Sequence, residues 1–191
     1  WSSTPRCTMS QDIQAGTVRA YTGTAKALHW LIALFVLVML IFGWTLGDLP
    51  EKEHVETLVI HSSLGASVLI LMTARLIWRL THPAPALPAD LPRWQVVLSK
   101  AVHHSLYLFL FLQPLWGIGQ SLFAGFPVSP FGLGPLQIEE NEQLFGIFHT
   151  AHAINAMILI ALLVLHIPAA LYHHFIRKDV VLKRMLPFAK V

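Results

Sequence analysis

Four long apolar runs, separated by polar or proline-rich segments, dominate the chain. They cover about residues 27–46, 57–80, 101–126 and 145–176. A helix of about 20 apolar residues crosses a bilayer, and each run is long enough to do so. In hydrocarbon the backbone must satisfy its own hydrogen bonds, which favours helices over open strands. The pattern therefore predicts an all-α protein, an integral membrane four-helix transmembrane bundle occupying residues 27–176. A polar segment, 1–26, precedes it and a basic tail, 177–191, follows it. Trp30 and Trp44 fall near the two ends of the first run, as interfacial aromatics do. The stretch THPAPALPADLPR, 81–93, reads as extended loop. Residues 127–142 read as a second, Gly- and Pro-rich loop ending in Glu139, Glu140 and Glu142. Pro114 and Pro168 lie inside the third and fourth runs and should kink them, Pro114 by freeing the carbonyl of Leu110. No internal repeat is visible.

Composition agrees with a membrane protein. Of 191 residues 55% are hydrophobic and 12% charged, whereas a soluble domain carries about 25% charged residues. Mean hydropathy is +0.61. The net charge of +3 is modest, and no nucleic-acid partner is expected. Residues 1–25 are polar, so no cleaved signal peptide is expected. The single cysteine, Cys7, rules out a disulfide framework within one chain, and no CxxCH haem-attachment motif is present. Any haem must be held without covalent links.

The placement of charge gives an orientation. With four crossings both termini share one side. Arg6, Arg19, Lys26, Arg75, Arg79, Arg93, Lys100, Arg177, Lys178, Lys183, Arg184 and Lys190 fall on that side, and Lys52 alone falls on the other. The positive-inside rule then puts both termini in the cytoplasm.

Ionisable residues inside membrane spans are functional candidates by default. The fourth run carries His152 and His166, fourteen residues apart. At roughly 100° per residue they return to within about 40° of one face, separated by a rise of about 21 Å. His29 opens the first run at the cytoplasmic side, and His61 lies near the periplasmic start of the second. Two pairs therefore match in depth: His61 with His152, and His29 with His166. Imidazole is a common axial ligand of haem iron, so the pattern reads as two bis-histidine b haems, one above the other. Small residues follow four positions after each, at Ala33, Gly65, Ala156 and Ala170. His54 and His82 read as interfacial polar groups, as do His103 and His104, although His103 is an alternative to His29 or His166. His149 is an alternative to His152, but lies about 100° off the His166 face. His173 shares the His166 face only about 10 Å further along, a depth suited to a haem propionate or a quinone. Arg75 and Arg79 sit at helix spacing where arginines snorkel, and the deeper Arg75 is a candidate propionate partner. Zinc is disfavoured, since no carboxylate or cysteine shares these depths.

Several motifs are similar to those of the bacterial cytochrome b561 family. They are LHW at 28–30, IHSSLG at 60–65, RLIWRL at 75–80, HHSLYLFLFLQPLWG at 103–117 and LHIPAALYHHFIRKDVVLKRMLP at 165–187. The resemblance spans about residues 24–187. It implies four transmembrane helices and two b haems with ligands on helices one, two and four. It also implies electron exchange with membrane quinone, ubiquinone being the expected partner. One branch resembles superoxide oxidases that pass electrons to ubiquinone. Another resembles cytochrome b subunits of hydrogenases and related dehydrogenases. The expected function is electron transfer between a periplasmic donor, either a carrier or a dehydrogenase subunit, and the quinone pool. The periplasmic loops bear on the donor. They carry Asp48, Glu51, Glu53, Glu56, Glu139, Glu140 and Glu142 against Lys52 alone, a field that favours a cationic partner over the superoxide anion. The contrasting reading is a non-redox membrane protein whose histidines bind a metal or relay protons.

Overall fold

The computed structural model describes residues 20–46, 49–88, 90–125, 128–134 and 138–189, and at 51 and 52 it describes the backbone only. Most of the polar lead-in, with Cys7, and also Asp48 and the last two residues, lies outside the described residues, as do the side chains of Glu51 and Lys52.

Four helices form in chain order: α1 Gly23–Thr45, α2 Glu51–Thr81, α3 Arg93–Phe123 and α4 Glu142–Phe175. A 3-10 turn, Pro130–Gly132, lies between α3 and α4. All four are long and apolar enough to span a membrane. Each start has a local cause. Thr22 caps α1 by accepting from the Ala25 N–H, and Asn141 caps α4 by accepting from the Leu144 N–H. Pro50 and Pro92 stand immediately before α2 and α3, where a missing N–H removes no helical bond.

The helices extend beyond the apolar runs. α2 begins at Glu51, so the carboxylates read as loop residues stand in its opening turns, where the helix dipole favours negative charge. α3 begins at Arg93, about two turns before its apolar run, because RWQVVLSK is amphipathic rather than unstructured. α3 and α4 continue through Pro114 and Pro168.

Packing joins α1 to α2, α2 to α3 and α3 to α4. One core cluster comprises Ile32, Val36, Val68 and Met72, flanked by Phe35, Tyr107 and Leu163. A second comprises Val102, Leu106 and Leu159, flanked by Phe109 and Leu162. On α4, Leu159, Leu162 and Leu163 fall between His152 and His166, while on α1 and α2 the core residues follow His29 and His61 in sequence. The core is thus an apolar layer separating two polar levels. Large apolar side chains such as Ile41, Ile70, Val97 and Val164 are more than 60% exposed, as residues facing lipid tails are.

Both ends are closed by loops. At one end, the 3-10 turn packs on α2, and the Phe131 N–H donates to Ser63 Oγ, two residues from His61. At the other, the tail folds back: Trp30 Nε1 donates to the Met185 carbonyl and the Tyr21 N–H to the Arg184 carbonyl. Arg184 also donates to the Ala86 carbonyl, tying the tail to the loop between α2 and α3.

Candidate functional site

The structure brings together both depth-matched histidine pairs. The His61 and His152 rings lie 6.1 Å apart between centroids, at an interplanar angle of 62°. The His29 and His166 rings lie 6.3 Å apart at 76°. Each pair joins α4 to a different helix, so α4 supplies one imidazole to each level. Two metal–nitrogen bonds of about 2.0–2.1 Å, plus the two ring radii, place facing imidazoles a little over about 6 Å apart across one metal ion. The spacing therefore fits one iron per level.

The chemistry of the donors fits b-type haem as well. Each level offers neutral nitrogen ligands of the kind that hold haem axially. Nδ1 of His61 is buried with no hydrogen-bond partner among the described residues. Among the described residues no cluster of three or more His, Cys, Asp or Glu is arranged to hold a metal ion.

His152 is the most constrained of the four. Its Nδ1–H donates to the Gln113 carbonyl at 3.0 Å, and its Nε2 accepts from the Gln113 side-chain amide at 3.0 Å. Iron at Nε2 requires that amide to give way. Gly117 makes room here, whereas a Cβ at Gly43 would be an ordinary contact. A Cβ on Gly117 would stand 3.3 Å from His152 Cε1, and one on Gly43 would stand 3.6 Å from His61 Cε1.

The other level is more crowded. His103 on α3 lies 5.2 Å from His166 between centroids, at 89°. Its Nδ1–H donates to the Ser99 carbonyl. His103 thus shares the level of His29 and His166, and its ring stands closer to His166 than that of His29 does. Arg75 is half-buried within electrostatic reach of all three imidazoles, and its guanidinium donates to the Ala25 carbonyl at 2.9 Å. Lys26, one turn before His29, is buried at 8% exposure. Positive charge therefore gathers at this level, as an anionic group such as a propionate requires.

Four of the remaining histidines have local partners. His54 Nδ1 bonds the Leu46 carbonyl at the end of α1. His82 stacks on Trp78, with 3.8 Å between centroids. His149 stacks on Phe145 and is exposed. His173 Nδ1 donates to Asp179 Oδ2 at 2.5 Å, and both side chains are 14% exposed. Arg177 bridges Asp179 to Asp90. Burial pushes the Asp179 carboxyl up, but the bonds from His173 and the Val181 N–H, with the nearby charges, outweigh it and hold the group below its ordinary value.

Gln113 and Asn155 were not candidates from the sequence. An amide side chain in an otherwise apolar span is the signal that could have marked them.

Paired imidazoles at two depths of a membrane-spanning helical bundle suit a membrane cytochrome of the b type. A sequence model described as prokaryotic cytochrome b561 matches residues 20–188. The chain belongs to the prokaryotic cytochrome b561 family, a family of multi-pass membrane proteins that bind haem b. It is 32% identical over 179 residues to cytochrome b561 homolog 1 of Escherichia coli, covering 89% of this chain and 98% of that one. It is 29% identical over 170 residues to the probable superoxide oxidase CybB of Yersinia pestis, covering 88% and 97%. Cytochrome b562 of Cereibacter sphaeroides is 29% identical over 180 residues, covering 87% and 94%.

Proposed function

We propose that this membrane cytochrome carries electrons across the bilayer between a periplasmic donor and the ubiquinone pool, through two b haems. The observation that supports this most directly is the pair of facing imidazole couples, 6.1 and 6.3 Å apart, separated by one apolar layer. His61 and His152 hold the periplasmic haem, and His29 and His166 the cytoplasmic one. Haem supplies the one-electron chemistry. The chain's own residues place two such groups in line, keep water out with the core between them, and set charge at each end. Arg75, and Lys26 beside it, face the propionates of the cytoplasmic haem. Both termini are cytoplasmic on the positive-inside rule: the described basic residues of the tail, Arg75 and Arg79 at the end of α2, and Arg93 and Lys100 at the start of α3 gather at one end.

The test uses the protein in vesicles with a membrane-impermeant reductant on one face. Both haems should be reduced, and adding ubiquinone should reoxidise them. Haems that reduce but never pass electrons to quinone would contradict the assignment.

A second reading rests on one relative. The likeness to the protein named probable superoxide oxidase CybB covers nearly all of that chain. In that case superoxide is the donor and leaves as dioxygen, giving one electron to the periplasmic haem. The carboxylates around that entrance weigh against it: Glu53, Glu56, Glu139, Glu140 and Glu142 are all exposed there.

A further inference from the structure

Asn155 is the most buried polar residue among the described residues, at 3% exposure. It lies one helical turn beyond His152 on α4. Its side-chain amide donates to the Phe109 carbonyl at 3.0 Å and to Oε1 of Gln113. Both acceptors belong to α3, and Gln113 immediately precedes Pro114. A carbonyl cannot donate, so the Phe109 contact fixes which end of the Asn155 amide is nitrogen. That assigns Oε1 of Gln113 as its acceptor and leaves the Gln113 amide N–H for Nε2 of His152. Nε2 is therefore unprotonated, and the His152 proton sits on Nδ1, donated to the Gln113 carbonyl. The chain of bonds Asn155 to Gln113 to His152 runs in one direction and permits one tautomer. Ligation through Nε2 requires that tautomer, and a carbonyl on the opposite N–H makes the imidazole a stronger donor.

We propose that Asn155, acting through Gln113, is the positioning residue for the periplasmic haem: it clamps α3 so that the Gln113 carbonyl holds His152 with its Nε2 lone pair ready for iron. The Gln113 amide keeps that lone pair satisfied in the haem-free chain and yields to iron. When its N–H yields, its Oε1 keeps the bond from Asn155, and the bonds from Asn155 to Phe109 and from His152 Nδ1 to the Gln113 carbonyl remain. This inference rests on the assignment of His152 as an iron ligand.

Loss of the clamp loosens the Nδ1–H bond, lowers the basicity of the ligand and favours the ferrous state. Removing such a partner typically costs about 10–100-fold in metal affinity. Each tenfold loss of ferric over ferrous preference raises a one-electron midpoint potential by about 59 mV. The experiment is a redox titration of the purified holoprotein, followed by optical and ferric low-spin EPR spectra, for wild type, Asn155→Leu, Gln113→Met, the double variant and His152→Ala. Asn155→Leu should raise the potential of one haem only, the haem that His152→Ala removes. Gln113→Met removes the same link from α3 and keeps the test open if Asn155→Leu does not fold. The double variant should shift little further than either single one, because both break one chain of bonds. Two haems retained in His152→Ala would defeat the ligand assignment. Loss of one haem in His152→Ala, with its potential and EPR signal unmoved in both clamp variants, would defeat the positioning role alone. Equal shifts of both haems would mean general loosening of the bundle and would also overturn it.

Discussion

At the scale of single residues, the four paired histidines can be separated from the other imidazoles by what each one touches. His54, His82 and His149 are engaged by a carbonyl or an aromatic face near their own helix. His61 and His152, by contrast, meet across two helices. His61→Ala and His152→Ala should bleach the same haem, whereas His54→Ala and His82→Ala should leave the visible spectrum unchanged. At the other level His29 and His103 both stand beside His166. His29→Ala should abolish the cytoplasmic haem, and His103→Ala should leave it in place. The opposite outcome would move that ligand from α1 to α3. The depth matching of these rings was legible in the sequence because a helix's rise and turn are fixed. Gln113 and Asn155 were not singled out, and His103 stood only as an alternative to His29 or His166. Their relevance depends on how far α3 is rotated against α4, and residue spacing along one helix carries no such information.

At the scale of helices, the α3–α4 contact is the tightest point of the bundle. A Cβ on Gly119 would lie 2.3 Å from Phe148 Cδ1. The Phe148 ring is itself stacked on Phe123, 5.8 Å between centroids, and has little freedom to retreat. Gly119→Ala should destabilise the protein by about 1–3 kcal/mol, the usual cost of overpacking, read as a lower unfolding midpoint in detergent. The positions of the spans were evident from hydropathy, while their true starts were hidden by polar first turns, as Arg93 and Glu51 illustrate. The basic tail gave no sign of folding back. Its anchors are backbone carbonyls, and the Asp179 contact to His173 closes across the end of α4. The Asp179 carboxyl is held below its ordinary value of 3.8. A carboxyl depressed in the folded state stabilises it above its unfolded value, and that contribution is lost as pH falls through the folded value. Protection of the tail from protease should therefore hold at neutral pH and weaken as the pH drops below about 3.8. Asp179→Ala should release the tail at neutral pH, with a loss on the order of 1 kcal/mol, the net worth of one hydrogen bond.

At the scale of the whole molecule, the two ends differ in charge. The proposed periplasmic end presents exposed carboxylates, while Lys26, Arg75 and Arg79 gather at the other end. Such a field changes association rates by about 10–10³ and weakens as salt is added. A basic electron carrier should therefore reduce the haems faster at low salt, and superoxide more slowly. Replacing Glu53 and Glu56 by Gln should narrow that difference in stopped-flow traces. Superoxide reacting near the diffusion limit, and more slowly as salt rises, would establish the superoxide oxidase reading instead.

The proposed function stands on two iron sites stacked through one bundle. A pyridine haemochrome assay on purified, folded protein measures them most directly. Two non-covalent b haems per chain, both low-spin, are the predicted result. A single haem, or none, would contradict the pairing of His61 with His152 and of His29 with His166.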